Sequence, residues 1–417
     1  MKLWRMLKER MLSHADSIAF TDGNITYRRL VEMAESNQTG EGHIRIVCGK
    51  SKQDVALQIL YCLANGYVSV PVDEEYGSAY VESVRAFVRD DEATYPDLAF
   101  IVFTSGTTGT PKGVMLSEDA IIENLKAIEG YFAVRAGQKM TIMRPLVHIS
   151  ALTGELLFGL YQGLELSFSE GSFQPQKAAQ IFKENGTEVI GCTPTVLYHL
   201  YRYLADTSLT DIVISGERIS SGLVAMLKPL GDKIHFYNVY GLTENSPRVT
   251  ALCPQDFFRK IGSVGKAIRN TQLKMKDGEL LVQSGSLMTG YYRRAELTNK
   301  KLRDGWLYTG DLAEIDKDGF VYILGRKDGM IIRGGVNVFP EDIESEAKSI
   351  EGVGSCIAYG EDDLRFGQRV CLDYTGTANA DMVRRKLAER LPSRMVPSKV
   401  RQVKSIATTA SGKIKRK

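Results

Sequence analysis

Short β-branched or apolar runs, alternating with helical patterns, constrain this chain more than any other feature of it. The runs are HIRIVCG (43–49), YVSVPVD (67–73), LAFIVFTS (98–105), EVIGCTP (188–194), DIVISGE (211–217) and KIHFYNVYG (233–241). Several end in small or turn-forming residues, as strands do when a wound α/β sheet delivers its loops to one edge. Between them, SKQDVALQILYCLANG and SEDAIIENLKAIEGYF repeat apolar residues at intervals of three and four, the period of an amphipathic helix. Beyond about residue 260 the texture changes to hairpins, with Asp318-Gly319 as a turn pair between two apolar runs. The last stretch is mixed, with helices expected in PEDIESEAKSI and ADMVRRKLAERL. The expectation is an α/β protein: a large N-terminal domain of wound α/β subdomains plus a β-rich subdomain, then a small α+β C-terminal domain. The boundary is expected at the charged turn Arg326–Asp328, giving domains over 1–325 and 329–417.

A chain of 417 residues is long enough for two or three domains. Its 43% apolar and 25% charged residues are those of an ordinary globular protein. The net charge of +3 argues against a general nucleic-acid binder. Six scattered cysteines, with no CxxC pair, exclude the usual zinc patterns and fit reduced cytosolic thiols. No apolar run approaches the roughly 18 residues of a membrane span. The start, MKLWRMLKERMLSHAD, reads as an amphipathic surface helix of a cytoplasmic protein.

The most specific stretch is VFTSGTTGTPKG, residues 102–113. Hydroxyls, backbone N–H groups and tight glycine turns make a concave anion site, and a lysine adds mobile positive charge. A polyphosphate is the natural guest, although a Gly/Thr surface loop has the same composition. The P-loop pattern fails here: Pro111 stands at its second glycine, and Gly113 replaces its magnesium-binding hydroxyl.

The loop resembles the phosphate loop of the adenylate-forming superfamily, which includes acyl-CoA synthetases, aryl-acid ligases and the adenylation domains of peptide synthetases. YCLANGYVSVPVDEE (61–75), NVYGLTE (238–244), YTGDLAEIDKDGFVYILGRKD (308–328) and ATTASGKIKR (407–416) resemble further motifs of that family, in family order. The segment between Tyr76 and Leu98 is far shorter than the family norm, so one N-terminal subdomain is trimmed.

The resemblance implies a two-step reaction. A carboxylate attacks the α-phosphate of ATP, and a thiol then displaces AMP. It implies that Thr104, Ser105, Gly106, Thr107, Thr108 and Lys112 grip the β- and γ-phosphates. Thr243 would bond the α-phosphate and Glu244 would hold Mg²⁺, a hard cation suited to carboxylate and phosphate oxygens. Tyr240 would stack on adenine, with Gly216, Glu217, Asn238 and Gly241 around it, while Asp311 and Arg326 would bind the ribose. Lys413 would bridge the carboxylate and the α-phosphate in the adenylation transition state; taken alone, SGKIKRK is an ordinary basic tail. Asp328 matches the family hinge, which lets a mobile C-terminal domain turn between the half-reactions.

The acid is less legible. Amino-acid-activating members of that family carry an aspartate after the PLVHIS position, and here Glu155 is the only nearby acid, a turn too far along, which argues against an amino-acid substrate. His148 would sit at the pocket mouth, with Ser150, Cys192, Thr193, Ser215 and Leu242 lining the remainder. A compact, mixed-polar pocket suits a hydroxylated aryl acid such as a dihydroxybenzoate. A phosphopantetheine carrier protein is the expected acceptor, as in siderophore-type pathways, with coenzyme A also open. The alternatives are a fatty or alkyl acyl-CoA synthetase and a catalytically silent nucleotide-binding relative.

Overall fold

The apolar periodicity of the chain becomes buried faces in the computed structural model, which describes residues 1–36, 43–73, 78–88, 97–104, 112–327, 329–333, 336–363 and 367–407. Among the described residues the strands form four sheets. At the centre of the largest, strands Lys139–Ile142, Val189–Cys192, Asp211–Ser215 and His235–Gly241 are neighbours and all parallel. Such strands are buried on both faces and read as unbroken apolar runs. Their carboxyl ends therefore share one edge, which hands Arg144, Thr193, Gly216 and Leu242 to the same side of the molecule. All six runs singled out in the sequence are strands.

A second sheet pairs Ile44–Val47, Val68–Pro71, Leu98–Thr104 and Lys112–Ser117, with the short strand Gly290–Tyr291 at its edge. The 98–104 and 112–117 strands are antiparallel, with Thr104 opposite Lys112, so the glycine-rich loop spans the end of a hairpin. The third sheet is the β-rich region. There Trp306–Ile315 pairs with Val321–Arg326 across the expected turn, where Gly319 has φ +84 and the Asp316 side chain accepts from Asp318 N and Phe320 N.

The opening helix Lys2–Leu12 is amphipathic as expected, and it buries Leu3, Trp4, Leu7 and Met11 in the main core. Ser51, Ser117, Thr193 and Ser220 each cap a following helix through the side-chain oxygen. A fourth sheet, holding Ile331–Arg333, Val336–Val338, Val353–Asp363, Gly367–Gly376 and Lys399–Gln402, carries helices Pro340–Lys348 and Ala380–Arg390. These elements enclose a separate core around Ile343, Leu372, Tyr374, Val383 and Leu387. The result is a large domain of mixed sheets followed by a small α+β domain. Arg218 of the large domain pairs with Asp342 of the small one. Among the described residues no helix is long and apolar enough to cross a membrane.

Candidate active site

The edge formed by the parallel strands meets the third sheet at one tight cluster. Asp311 and Arg326 are direct cross-strand partners, and Arg326 Nη1 donates to Asp311 Oδ1 at 3.0 Å and to the Thr309 carbonyl at 3.0 Å. The Tyr240 hydroxyl, reaching over from the end of the 235–241 strand, donates to Asp311 Oδ2. Burial pushes the Tyr240 hydroxyl well up, which keeps it a donor at neutral pH. Asp311 is 5% exposed; burial pushes its carboxyl up, and Arg326 and Tyr240 pull it back. Gly310, at φ +78, leaves room for this packing, since a Cβ there would come within 2.9 Å of Arg326 Nη2.

Glu244 lies on the short turn after the 235–241 strand. Its Oε1 accepts from the Tyr291 hydroxyl at 2.6 Å, and its carbonyl accepts from Met288 N at 2.9 Å. Tyr291 pairs with Val114, and Tyr292 N donates to the Gly113 carbonyl at 2.7 Å. Residues 288–292 thus tie Glu244 to the strand that leaves the glycine-rich loop. Among the described residues no group of three or more His, Cys, Asp and Glu could hold a metal ion. A magnesium at Glu244 would therefore take its other ligands from phosphate oxygens and water, which suits that cation.

The remaining residues expected at the nucleotide are placed as follows. Gly216 has φ +91 at the end of the 211–215 strand. Glu217 Oε2 accepts from Thr195 N at 3.2 Å and from its hydroxyl. Asn238 is 2% exposed and its amide donates to the Ser263 carbonyl at 2.7 Å, so that side chain is committed to the framework. Gly241 packs against the Pro247 backbone. Thr243 opens the turn that carries Glu244. Thr104 and Lys112 close the hairpin, whereas Ser105, Gly106, Thr107, Thr108, Asp328 and Lys413 lie outside the described residues.

The residues expected at the acid are placed as follows. His148 precedes, and Ser150 and Glu155 belong to, one helical run, Ile149–Gln162, whose middle, Leu152–Leu157, is a π-helix. A π turn holds more residues than an α turn and shifts the face each side chain takes. Glu155 lies within that π-helical stretch. It sits against Gly191 and pairs with Arg144, whose Nε donates to Glu155 Oε1 at 2.9 Å and whose Nη1 donates to Ser215 Oγ at 2.8 Å. Ser215 and Cys192 end neighbouring strands at this point. Burial pushes the Cys192 thiol up to about 12, which removes it as a nucleophile at neutral pH. The Thr193 hydroxyl caps a helix, and Leu242 packs on the main core.

Sequence reasoning missed Tyr291, Lys301, Arg144 and Arg248. Lys301 Nζ donates to the Tyr308 and Thr309 carbonyls at 3.0 and 3.2 Å, beside Asp311, and burial pushes its pKa down. None of these four stands in a recognised motif. Only their convergence in space marks them.

The chain matches the family described as AMP-binding enzyme over residues 50–292. It is 30% identical over 336 residues to a 2-succinylbenzoate–CoA ligase of Staphylococcus epidermidis, covering 77% of this chain and 69% of that protein. It is 28% identical over 355 residues to a long-chain-fatty-acid–CoA ligase of Mycobacterium tuberculosis, covering 80% and 70%. Among solved structures, o-succinylbenzoate coenzyme A synthetase from Bacillus subtilis, in complex with ATP and magnesium ion, superposes with a TM-score of 0.85. There the identity is 22% and the coverage 99% of this chain and 98% of that one, a likeness of fold.

Proposed function

This chain belongs to the AMP-binding enzyme family, and from that premise we propose that it activates a carboxylic acid with ATP and passes the acyl group to coenzyme A. It is an adenylate-forming acid–thiol ligase, with AMP and pyrophosphate as products and ATP and Mg²⁺ as its nucleotide and metal. In the first half-reaction a carboxylate oxygen bonds to the α-phosphorus as the bond to the pyrophosphate oxygen breaks. In the second, a thiolate sulfur bonds to the acyl carbon, AMP leaves with the electron pair, and the thiol proton goes to solvent. The barrier is lowered by holding two anions together and neutralising their charge.

The observation that carries this reading is the Tyr240–Asp311–Arg326 cluster beside the Thr243–Glu244 turn. The buried Asp311 carboxylate, steadied from both sides, presents acceptors to the two ribose hydroxyls. Glu244, fixed by Tyr291, would hold the magnesium, which supplies charge neutralisation at the phosphates. Lys112 and the hydroxyls before it would meet the outer phosphates. Lys413, arriving with the small domain, would act in adenylation only, and Asp328 would be the hinge that lets that domain swing away for the thiol.

Coenzyme A replaces a carrier protein as the proposed acceptor because the relatives named above are coenzyme A ligases. The acids those relatives are named for, an aryl dicarboxylic acid and long-chain fatty acids, give no support to a dihydroxybenzoate or to a siderophore pathway. ATP–pyrophosphate exchange across a panel of aryl, short and long alkyl acids tests the first step. Mass detection of the coenzyme A thioester tests the second. ATP binding without exchange for any acid would favour the silent nucleotide-binding relative.

A further inference from the structure

One short helix, Ala295–Lys301, is bonded to both ends of the nucleotide cluster. It places no fully buried side chain in a core, although Leu297 packs partly against the main one. Its polar attachments are Thr298 and Lys301. At i,i+3 spacing these lie on one helical face, about 4.5 Å apart along the axis.

Thr298 holds the Glu244 end. Its hydroxyl accepts from Tyr291 N at 2.9 Å, and the Tyr291 hydroxyl donates to Glu244 Oε1 at 2.6 Å. Lys301 holds the Asp311 end. Its Nζ donates to the Tyr308 and Thr309 carbonyls at 3.0 and 3.2 Å. The Thr309 carbonyl also accepts from Arg326 Nη1, which in turn donates to Asp311 Oδ1. A glycine stands immediately before each functional residue. At Gly290 a Cβ would come within 3.0 Å of Thr298 Oγ1, and at Gly310 within 3.2 Å of Lys301 Nζ. Both strands therefore admit the helix closer than a larger side chain would allow.

A lysine in the last turn of a helix ordinarily serves that helix's own carbonyl end. Lys301 crosses to another strand instead. Among the described residues no carboxylate bonds to its partly buried ammonium. Burial, and then the Arg326 charge, push its pKa down, while Glu244, Glu279 and Asp311 oppose them. Desolvating an ammonium is costly, and this one is set on two carbonyls that lead into Asp311.

Resting on the nucleotide reading above, we propose that this helix is a brace that fixes the spacing between Glu244 and Asp311, and so between the magnesium-bound phosphates and the ribose. Thr298 is the positioning residue for Glu244, and Lys301 is the positioning residue for Asp311 and Arg326. Neither touches the reacting atoms. Thr298 acts through Tyr291, and Lys301 acts through the Thr309 carbonyl.

Calorimetric titration of the full chain tests the brace without any acid substrate. Two affinity ratios are read. ATP over 2′-deoxyATP, both with Mg²⁺, reports the ribose contact at Asp311. ATP with Mg²⁺ over ATP with EDTA reports Glu244. In the wild type each ratio is expected to be about tenfold or more, as for a contact with a charged group. Lys301→Met should cut the first ratio about threefold or more and leave the second within about twofold. Thr298→Val, which keeps the size and loses the acceptor, should do the reverse. A folded variant that keeps both wild-type ratios, or lowers both equally, overturns the brace alone. Failure of both variants to fold overturns it too, because the helix would then be framework. A wild type that binds ATP with neither preference overturns the roles of Asp311 and Glu244, and a wild type that binds no ATP overturns the ligase reading. Either result takes this inference with it.

Discussion

The nucleotide side and the acid side of the cleft lie on the same strand ends, yet they are built on opposite plans. At the nucleotide side, Tyr240, Asp311 and Arg326 come from two sheets and pair with one another, and Glu244 is held by Tyr291. At the side expected for the acid, Arg144, Glu155 and Arg248 are more deeply buried as a group, carry unequal charge and leave two polar atoms, Glu155 Oε2 and Arg248 Nε, unpartnered. The lesson concerns where a satisfied site and an unsatisfied one belong in a two-substrate enzyme. On the proposed reading the first, already paired, would receive the nucleotide, and the second would receive the acid.

Substitutions can break this contrast, because each side should fail in its own way. Glu155→Ala is expected to be the most damaging to the fold. It leaves the largely buried Arg144 guanidinium without its carboxylate partner, a loss of about 3–5 kcal/mol read by denaturant unfolding. A change in stability below 1 kcal/mol would mean that water already solvates the cluster. Lys413→Ala should lower the adenylation rate by about 10²–10³, roughly 3–4 kcal/mol, while thioester formation from pre-made adenylate is spared. Equal losses in both half-reactions, measured in single turnovers, would remove the division of labour assigned to the small domain.

Gly191→Ala comes next, because its new methyl must displace Glu155 and Arg144. About 1–3 kcal/mol of stability should be lost, with an altered acid preference and an unchanged KM for ATP. A raised KM for ATP in this variant would show that the two sides are coupled. Tyr291→Phe should leave stability nearly untouched and raise the KM for ATP about fivefold, the roughly 1 kcal/mol of one hydrogen bond to a carboxylate. The smallest effect is on pH dependence. Burial raises the Asp311 carboxyl, so it takes up a proton at a higher pH than an exposed aspartate does. ATP affinity should then begin to fall earlier as pH is lowered, and Asp311→Asn, which cannot titrate there, should show a flat profile. Identical profiles for both proteins would place the ionised carboxylate outside nucleotide binding.

The motifs expected at the nucleotide are legible in the linear chain because phosphate and ribose chemistry fixes residue types at fixed local spacings. The glycine-rich loop, the Tyr-Gly-Leu-Thr-Glu turn and the Asp311–Arg326 hairpin each lie within a few residues or one strand pair. The strand runs and the Asp318-Gly319 turn were equally legible, since apolar periodicity and positive φ are local properties. The acid side was not. Arg144, Glu155, Gly191, Ser215 and Arg248 come from five separate segments, and no spacing rule connects them.

Glu155 shows the limit most clearly. It lies in the π-helix at Leu152–Leu157, against Gly191 and paired with Arg144, and no local spacing rule joins those three residues. The sequence by itself determined the fold class, the nucleotide chemistry and the motif side chains, because those follow from local periodicity and local hydrogen bonding. Only the tertiary structure decided the charge balance of the acid pocket. Burial sets the worth of a charge, and burial is a property of all the segments that close over it.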